Sequence, residues 1–324
     1  MALTPAAIVR PADLDHEKAG IFTRVLSTVL HSRAAKDVFA QVIDGLPVKS
    51  TCELTITRRY ELLSRTEASQ QSQVLSDQFC SSSEMFDNLD LNARTAQLYQ
   101  AAPLYSHSFN MHLLELVAVA VDDMAANLFA YFHPDGEPRL EQVTMTGVQK
   151  EGIVSLSTMW YIRSDIYPRG VNDVVGYWAE THIFGGVVVF DRGADEGAKN
   201  QGKFHRFTNL AMKLPVSCSA TPPIFIPLHP SYPADIFQLI DSQIEQFSSL
   251  ANQQTDANHL LPFICRPEVK TLNPSHAFLN QNIYRDRYER LLSPVARGRP
   301  CVRRLEDDPD LRGFIDKAVR MFQP

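Results

Sequence analysis

The sequence predicts one α/β domain in which helices flank a mostly parallel sheet. Segments with helical spacing of apolar residues alternate with short apolar strands, the order expected when helices connect the strands of one sheet. The run at 187–190 (VVVF) is apolar at every position, which is typical of strands buried on both faces of a parallel sheet. No shift in composition divides the chain, so we treat residues 1–324 as a single domain.

Helices dominate the first part of the chain. Apolar residues recur at helical steps over 14–44, and Gly45 ends this N-terminal helical segment. The turn at 133–136 (HPDG) closes a long helix that begins near residue 109. Further helices are predicted near 91–102, 233–250, 275–291 and 309–322. Strands are predicted near 52–57, 141–147, 204–210 and 223–227.

The segment 172–193 has the strongest local signals. Asn172 is a suitable N-cap for a helix over 173–184, because its side chain can accept a hydrogen bond from the first helical turn. Gly185 and Gly186 then end the helix, and the apolar strand at 187–190 follows directly.

Composition excludes several classes of protein. Apolar residues make up 44% and charged residues 21%, as in ordinary globular chains, so collagen-like and disordered classes are excluded. The net charge of −6 gives no general signal for a membrane or for DNA, and we expect neither as a partner. The five cysteines are scattered, and the N-terminus lacks a signal-peptide pattern. We therefore expect a cytoplasmic protein.

Three polar residues share one face of the helix at 173–184. Asp173, Tyr177 and Glu180 stand at positions i, i+4 and i+7, so their side chains project from the same side. Two carboxyl groups and a phenol beside a buried strand form a candidate catalytic set for acid–base chemistry. The alternative is the solvated polar face of an amphipathic helix.

Two acidic residues interrupt the long apolar helix. Asp122 and Asp123 follow Glu115 by about two turns. Buried carboxylates need partners, and a guanidinium group is well suited to them. Asp122 and Asp123 are therefore candidate substrate-binding residues, and an internal salt bridge is the alternative.

Positive charge is concentrated near the C-terminus. Seven arginines and two acids lie between Arg285 and Arg304, a charge of +5 that leaves −11 for the rest of the chain. Arginine suits bidentate phosphate contacts, so this Arg-rich segment, 285–304, is a candidate RNA-binding surface, led by Arg285, Arg287 and Arg290. A solvated helix and loop is the alternative, and a non-catalytic RNA- or protein-binding factor would use the same surface.

The residues His133 and Asp135 have the spacing of a non-haem iron site. Such a site needs a second histidine, for which His182 and His205 are candidates, and an iron oxygenase would be the corresponding function. The alternative is a Pro-Asp-Gly turn after a helix whose C-terminal end favours a histidine. The sequence contains no P-loop, no Gly-x-Gly-x-x-Gly motif and no Gly-x-Ser-x-Gly elbow.

Two segments carry a resemblance to a known family. GYWAETHIFGGVVVFDRG (176–193) and NIYRDRYERLLSP (282–294) resemble segments shared by a broad set of proteins of filamentous fungi. Within that set, they are similar to the fungal arginine-containing cyclodipeptide synthases. The resemblance covers the C-terminal half of the chain.

This resemblance implies a fold and a reaction. The implied fold is Rossmann-like and similar to the catalytic domains of class I aminoacyl-tRNA synthetases. The implied reaction condenses arginyl-tRNA with a second aminoacyl-tRNA to a diketopiperazine, in secondary metabolism, without ATP, metal or another cofactor.

The resemblance also implies roles for individual residues. Bacterial cyclodipeptide synthases use a tyrosine and a glutamate four residues apart, whereas Tyr177 and Glu180 are three apart. Glu180 would be the general base, and Asp122 or Asp123 would bind the arginyl group. The bacterial enzymes also use a serine that accepts the first aminoacyl group, for which Ser106 and Ser108 are candidates.

Overall fold

Helices make up most of the part of the chain that can be described. The computed structural model describes residues 7–51, 65–82, 86, 89–136, 155–158, 161, 164–191, 210–213, 236–252, 256–263, 271–272 and 283–285. The α-helices in these ranges are α1 (His16–Leu30), α2 (Arg33–Asp44), α3 (Gln70–Ser81), α4 (Ala93–Ala101), α5 (His107–Phe132), α6 (Val171–Phe184), α7 (Asp241–Ser249) and α8 (Ala257–Leu260). The strands are β1 (Ile8–Val9), β2 (Leu91–Asn92), β3 (Val187–Asp191), β4 (Leu210–Lys213), β5 (Ile236–Gln238), β6 (Thr271–Leu272) and β7 (Ile283–Tyr284).

Side-chain caps explain where several helices begin. Ser32, Ser69 and Ser106 precede α2, α3 and α5, and each accepts a hydrogen bond from the backbone N–H three residues later. Gly45 ends α2 in the left-handed conformation with φ 71°. The predicted N-terminal helical segment at 14–44 is thus confirmed as α1 and α2, and the long helix near 109–132 is confirmed as α5.

The strands pair antiparallel throughout the described residues. One sheet has the order β6–β5–β4–β3–β7, and β1 pairs with β2 in a separate two-stranded sheet. The described residues are therefore mostly helical and contain two small antiparallel sheets. The mostly parallel pairing predicted from the sequence is not found among them.

The position of β3 explains why its sequence suggested a parallel sheet. Val188 and Phe190 pack into the main core with the helices, whereas Val187 and Val189 pack into a second cluster that includes four tyrosines. Both faces of the strand are buried, so every position is apolar. Burial on both faces sets the apolar pattern, and that pattern carries no information on the direction of the neighbouring strands.

Several predicted elements need correction or lie outside the described residues. The prediction of a helix near 275–291 is wrong at 283–284, because these residues form the strand β7, which pairs with β3. The helix near 233–250 begins only at Asp241, after the strand β5. The helix that follows Gly170 begins at Val171 and has no side-chain cap, so Asn172 is not its N-cap. The predicted elements near 52–57, 141–147, 223–227 and 309–322 lie outside the described residues.

The main hydrophobic core lies between the helices. It joins apolar side chains of α1, α2, α5, α6 and α7, with Trp178 among its largest fully buried members. Within the described ranges, no helix combines the length and apolar character needed to cross a membrane.

Candidate functional site

The candidate site lies where α5 crosses α6. Gly176 on α6 permits this crossing, because a Cβ atom there would lie 2.5 Å from Oδ1 and 2.7 Å from the backbone oxygen of Asp122. The two helices therefore approach so closely that the Asp122 carboxyl group packs against the backbone of α6. This contact brings the acidic residues of both helices into one place.

Glu180 is fully buried and bonded on both of its carboxyl oxygens. Oε1 accepts a hydrogen bond of 2.8 Å from the backbone N–H of Val188, and Oε2 accepts one of 3.0 Å from Nη2 of Arg285. Arg285 is itself 6% exposed, and its Nη1 donates to the Val188 carbonyl at 3.5 Å. Glu180 thus ties α6 to β3 and to the residue that follows β7.

Asp122 lies within electrostatic reach of two arginines and two acids. Its Oδ1 is buried and has no hydrogen-bond partner among the described residues, and its Oδ2 lies 3.9 Å from Nη2 of Arg169. Burial raises the pKa of Asp122 well above its usual value, and the charges of Glu180 and Asp173 raise it further while Arg285 and Arg169 oppose them. Its carboxyl group is therefore less acidic than an exposed one.

Arg169 joins three carboxylates on two helices. Its Nε donates to Oδ1 of Asp173 at 2.6 Å, and its backbone N–H donates to Oδ2 of the same residue at 2.8 Å. Its Nη1 pairs with Asp123 and lies 3.4 Å from Oδ1 of Asn127. Burial raises the pKa of Asp123 even though Arg169 lowers it. We call Asp122, Asp123 and Asp173 the acidic seam.

Tyr177 is held in place by other aromatic rings. Its ring stacks on Tyr161 with centroids 4.2 Å apart and tilts against Tyr167 at 5.2 Å. The charge of Arg285 interacts with Tyr177, so this tyrosine belongs electrostatically to the same site. The second hydrophobic cluster thus forms an aromatic wall beside the acidic residues.

The structure brings together most of the predicted site residues. Asp173, Tyr177 and Glu180 lie on α6 with 7%, 5% and 0% exposure, so this face of the helix is buried and is not a solvated polar face. Asp122 and Asp123 meet the same face from α5, and Arg169 gives them the internal salt bridge considered as the alternative.

The arginine prediction needs a correction. Arg285 was predicted to belong to an RNA-binding surface, but its guanidinium group is buried and bonded to Glu180 inside the protein. In this conformation it does not reach a phosphate bound at the surface. Arg287 and Arg290, like the rest of the Arg-rich segment, lie outside the described residues.

His133 has a structural role at the end of α5. Its Nε2 lies 2.9 Å from the Ile43 carbonyl and 3.2 Å from the Val42 carbonyl, so this nitrogen donates to the end of α2. Asp135 lies in the turn that follows. Among the described residues, no group of three or more histidines, cysteines and acids could hold a metal ion, and His205 lies outside them.

The candidate serines lie at the beginning of α5. Ser106 donates from Oγ to the Pro103 carbonyl and accepts from the Phe109 backbone N–H, so its hydrogen bonds cap the helix. Ser108 is exposed in the first turn.

A separate cavity of about 520 Å³ lies away from the candidate site, and none of the site residues faces it. It is lined by Ser27, Thr28, His31, Ser32, Asp256, Ala257 and Asn258.

Sequence reasoning missed Arg169 and Gly176. A signal for Arg169 was present, since it stands four residues before Asp173, a spacing that allows an ion pair. Gly176 sits inside a helix, where glycine costs stability and therefore often marks a close approach.

Comparison of the chain with protein-family models, with curated proteins and with solved structures finds no match.

Proposed function

We propose that this protein is a tRNA-dependent cyclodipeptide synthase that condenses arginyl-tRNA with a second aminoacyl-tRNA. The observation that carries the proposal is the contact between the two segments that resemble the family. They are far apart in the sequence, yet Phe190 pairs with Tyr284 across β3 and β7, and Glu180 binds Arg285. The two segments that resemble the family form one buried site together. This contact supports a function in common with the family better than two separate stretches of similar sequence would.

The geometry changes the role proposed for Glu180. Both carboxyl oxygens of Glu180 are already engaged inside the protein, Oε1 by the backbone N–H of Val188 and Oε2 by the guanidinium group of Arg285. We therefore assign Glu180 a positioning role, in which it holds Arg285 against the site. Arg285 in turn places a fixed positive charge near Tyr177.

Tyr177 is the group we propose for proton exchange with the attacking amine. Its ring is fixed by Tyr161 and Tyr167, and its phenol lies within electrostatic reach of the Arg285 guanidinium group. The ester of each aminoacyl-tRNA supplies the activated carbonyl, so the reaction needs no further cofactor. Asp173 holds Arg169 at the beginning of α6.

The tRNA substrates require a binding surface on the protein and a compartment that contains them. Arg287 and Arg290 are proposed to bind tRNA phosphates, and such binding should weaken steeply as salt concentration rises. We propose a Rossmann-like arrangement of the whole chain, related to class I aminoacyl-tRNA synthetases, and a cytoplasmic location where charged tRNA is abundant.

The test supplies purified protein with total tRNA, aminoacyl-tRNA synthetases, ATP and all twenty amino acids. Mass spectrometry then searches for cyclic dipeptides, with an RNase-treated sample as the control. An arginine-containing diketopiperazine that vanishes with RNase supports the proposal. Absence of any such product, when arginine is shown to be charged onto tRNA, contradicts it. Tyr177→Phe should lose product while keeping its melting temperature, and Tyr105→Phe, an exposed tyrosine, should keep both.

A further inference from the structure

Tyr105 has a backbone conformation that tyrosine rarely adopts. It is the third residue of the turn 103–106, which the backbone N–H of Ser106 closes by donating to the Pro103 carbonyl at 3.1 Å. Its φ is 58°, in the left-handed region, where a bulky side chain costs free energy and glycine or asparagine is preferred. Either of those residues would form the same turn at lower cost. The strain therefore indicates that the ring of Tyr105 has a role besides forming the turn.

The ring of Tyr105 is presented to solvent on a rigid support. Tyr105 is 56% exposed, and its ring lies against Phe109 with centroids 6.0 Å apart. Phe109 is fully buried and stacks on the buried ring of Tyr99 at 4.8 Å. An exposed aromatic ring that is held in one place is a suitable platform for an unpaired nucleic-acid base, because every base has a flat face that can stack on it.

Arg24 supplies a positive charge near this ring. Burial raises the pKa of Tyr99, Arg24 lowers it and Tyr105 raises it further, so both side chains lie within electrostatic reach of the Tyr99 hydroxyl group. Arg24 is exposed, and its Nε donates to the Ala251 carbonyl at 3.1 Å. This bond anchors the guanidinium group through one nitrogen, and the other two nitrogens are suited to a phosphate.

A neighbouring acid decides where a phosphate can bind. The N-terminus of a long helix such as α5 attracts anions. At this end, however, Asp241 is 77% exposed, and its Oδ1 lies 3.7 Å from Nδ1 of His107, the first residue of the helix. Its carboxylate repels a second anion at that position. The phosphate contact therefore belongs to Arg24 and not to the end of α5.

We infer that Tyr105 and Arg24 form a nucleotide-binding patch, in which Tyr105 stacks on an unpaired base and Arg24 binds a phosphate of the same strand. The inference rests on the proposed function for the identity of that strand, a substrate tRNA. From His107 to Asp122 the helix α5 rises by about 22 Å, so the patch lies away from the acidic seam. It therefore contacts a part of the tRNA other than the aminoacyl group.

The test measures the binding of fluorescein-labelled, uncharged tRNA by fluorescence anisotropy, without amino acids or turnover. Tyr105→Asn removes the ring but suits the left-handed turn, so its melting temperature should equal or exceed that of the wild type. Its affinity for tRNA should fall about fivefold or more, the loss expected when one base no longer stacks. Tyr105→Phe should bind as the wild type does. The matched control is Tyr131→Ala, which removes a 77% exposed tyrosine at the other end of α5 and should leave the affinity unchanged.

Two further measurements separate stacking from charge. A blunt RNA duplex has no unpaired base, so wild type and Tyr105→Asn should bind it alike. Arg24→Gln should weaken tRNA binding and reduce the slope of log affinity against log salt concentration by about one, because it removes one phosphate contact.

Several results would overturn the inference. They are a folded wild-type protein that does not bind tRNA, equal tRNA affinity of wild type and Tyr105→Asn, and an equal loss of affinity in Tyr131→Ala. A melting temperature that falls in Tyr105→Asn would also overturn it, since the ring would then serve the fold.

The same variants separate this inference from the proposed function. If tRNA binds through Tyr105 and Arg24 but no diketopiperazine forms, the patch binds RNA and the proposed reaction is wrong. If product forms while Tyr105→Asn leaves the KM for arginyl-tRNA unchanged, the reaction stands and the nucleotide-binding patch is wrong.

Discussion

Oε2 of Glu180 lies 3.0 Å from Nη2 of Arg285, and both side chains are buried from solvent. The two residues are 105 positions apart in the sequence. Their ion pair therefore joins distant parts of the chain, and through Val188 it also fixes the strand that lies between them. Removing either partner leaves the other as a buried charge, which is far more costly than the loss of an exposed pair.

The Glu180–Arg285 pair should show an asymmetric response to substitution. Arg285→Met leaves Glu180 and Asp122 without their shared cation and should lower the free energy of unfolding by about 3–5 kcal/mol. Glu180→Met should cost less, since Arg285 retains the nearby charge of Asp122. Urea denaturation of both single variants and the double variant measures the coupling between them.

The double variant Glu180→Met/Arg285→Met tests whether charge burial causes these losses. It should be more stable than Arg285→Met, because no unpaired charge remains. Glu245→Gln on the exposed side of α7 serves as the control and should change stability by no more than about 0.5 kcal/mol. Strictly additive losses would contradict a direct interaction.

Gly176→Ala should destabilise the protein although alanine is the better helix former. Its Cβ would overlap the backbone and the carboxyl group of Asp122, and relieving the overlap should cost about 1–3 kcal/mol or more. Gly20→Ala on α1 is the matched control, because its Cβ would meet only the flexible end of Arg24 at 3.3 Å. That substitution should be neutral or stabilising by up to about 1 kcal/mol. Equal effects at the two positions would argue against the close helix crossing.

Stability should decline with rising pH because of Asp122. Burial and neighbouring acids raise its pKa in the folded protein, whereas the unfolded chain releases this proton at about pH 4. The stabilisation from the bound proton is complete below pH ~4 and is lost as pH rises through the folded pKa. Asp122→Asn stays neutral and should remove this decline, so its stability relative to wild type should increase with pH. The exposed Asp37→Asn should run parallel to wild type in urea denaturation at each pH.

His182 should make the folded protein less stable as the pH falls, whereas Asp122 makes it less stable as the pH rises. Burial lowers its pKa to about 4 in the folded protein, and its buried Nε2 has no partner among the described residues. The unfolded chain takes up a proton below pH ~6.5, so stability from His182 is present above that pH. It is lost as pH falls towards 4, by about 3 kcal/mol in all.

The measurement compares acid unfolding of His182→Gln with that of His259→Gln, whose ring is exposed. The first variant should lose less stability than wild type between pH 6.5 and 4. The second should follow the wild-type curve. Identical acid sensitivity of His182→Gln and wild type would contradict a buried neutral histidine.

Local chemistry explains which parts of the fold the sequence predicted well. The ends of α2 and α5 depend on Ser32, Gly45 and Ser106, residues whose capping preferences act within one helical turn. The direction of strand pairing at β3 depends on β4 and β7, which lie outside the apolar run, and the run itself does not encode that direction.

The candidate site was predicted only in part, because some of its contacts join segments that are distant in the sequence. The spacing of Asp173, Tyr177 and Glu180 placed them on one helix face, and the structure places that face in the interior. The partner of Glu180 could not be inferred, because the charge run that contains Arg285 has the same pattern whether it is solvated or buried. Burial is a tertiary property that this local pattern does not determine.

The most direct test of the central proposal uses arginyl-tRNA charged in advance, freed of synthetase and ATP, and mixed with a pool of other charged tRNAs. The wild-type protein should consume arginyl-tRNA faster than spontaneous hydrolysis and release an arginine-containing diketopiperazine. Free arginine with uncharged tRNA should yield none. Arginyl-tRNA that decays only at its spontaneous rate in the presence of folded protein, with no cyclic product, would contradict the proposed function.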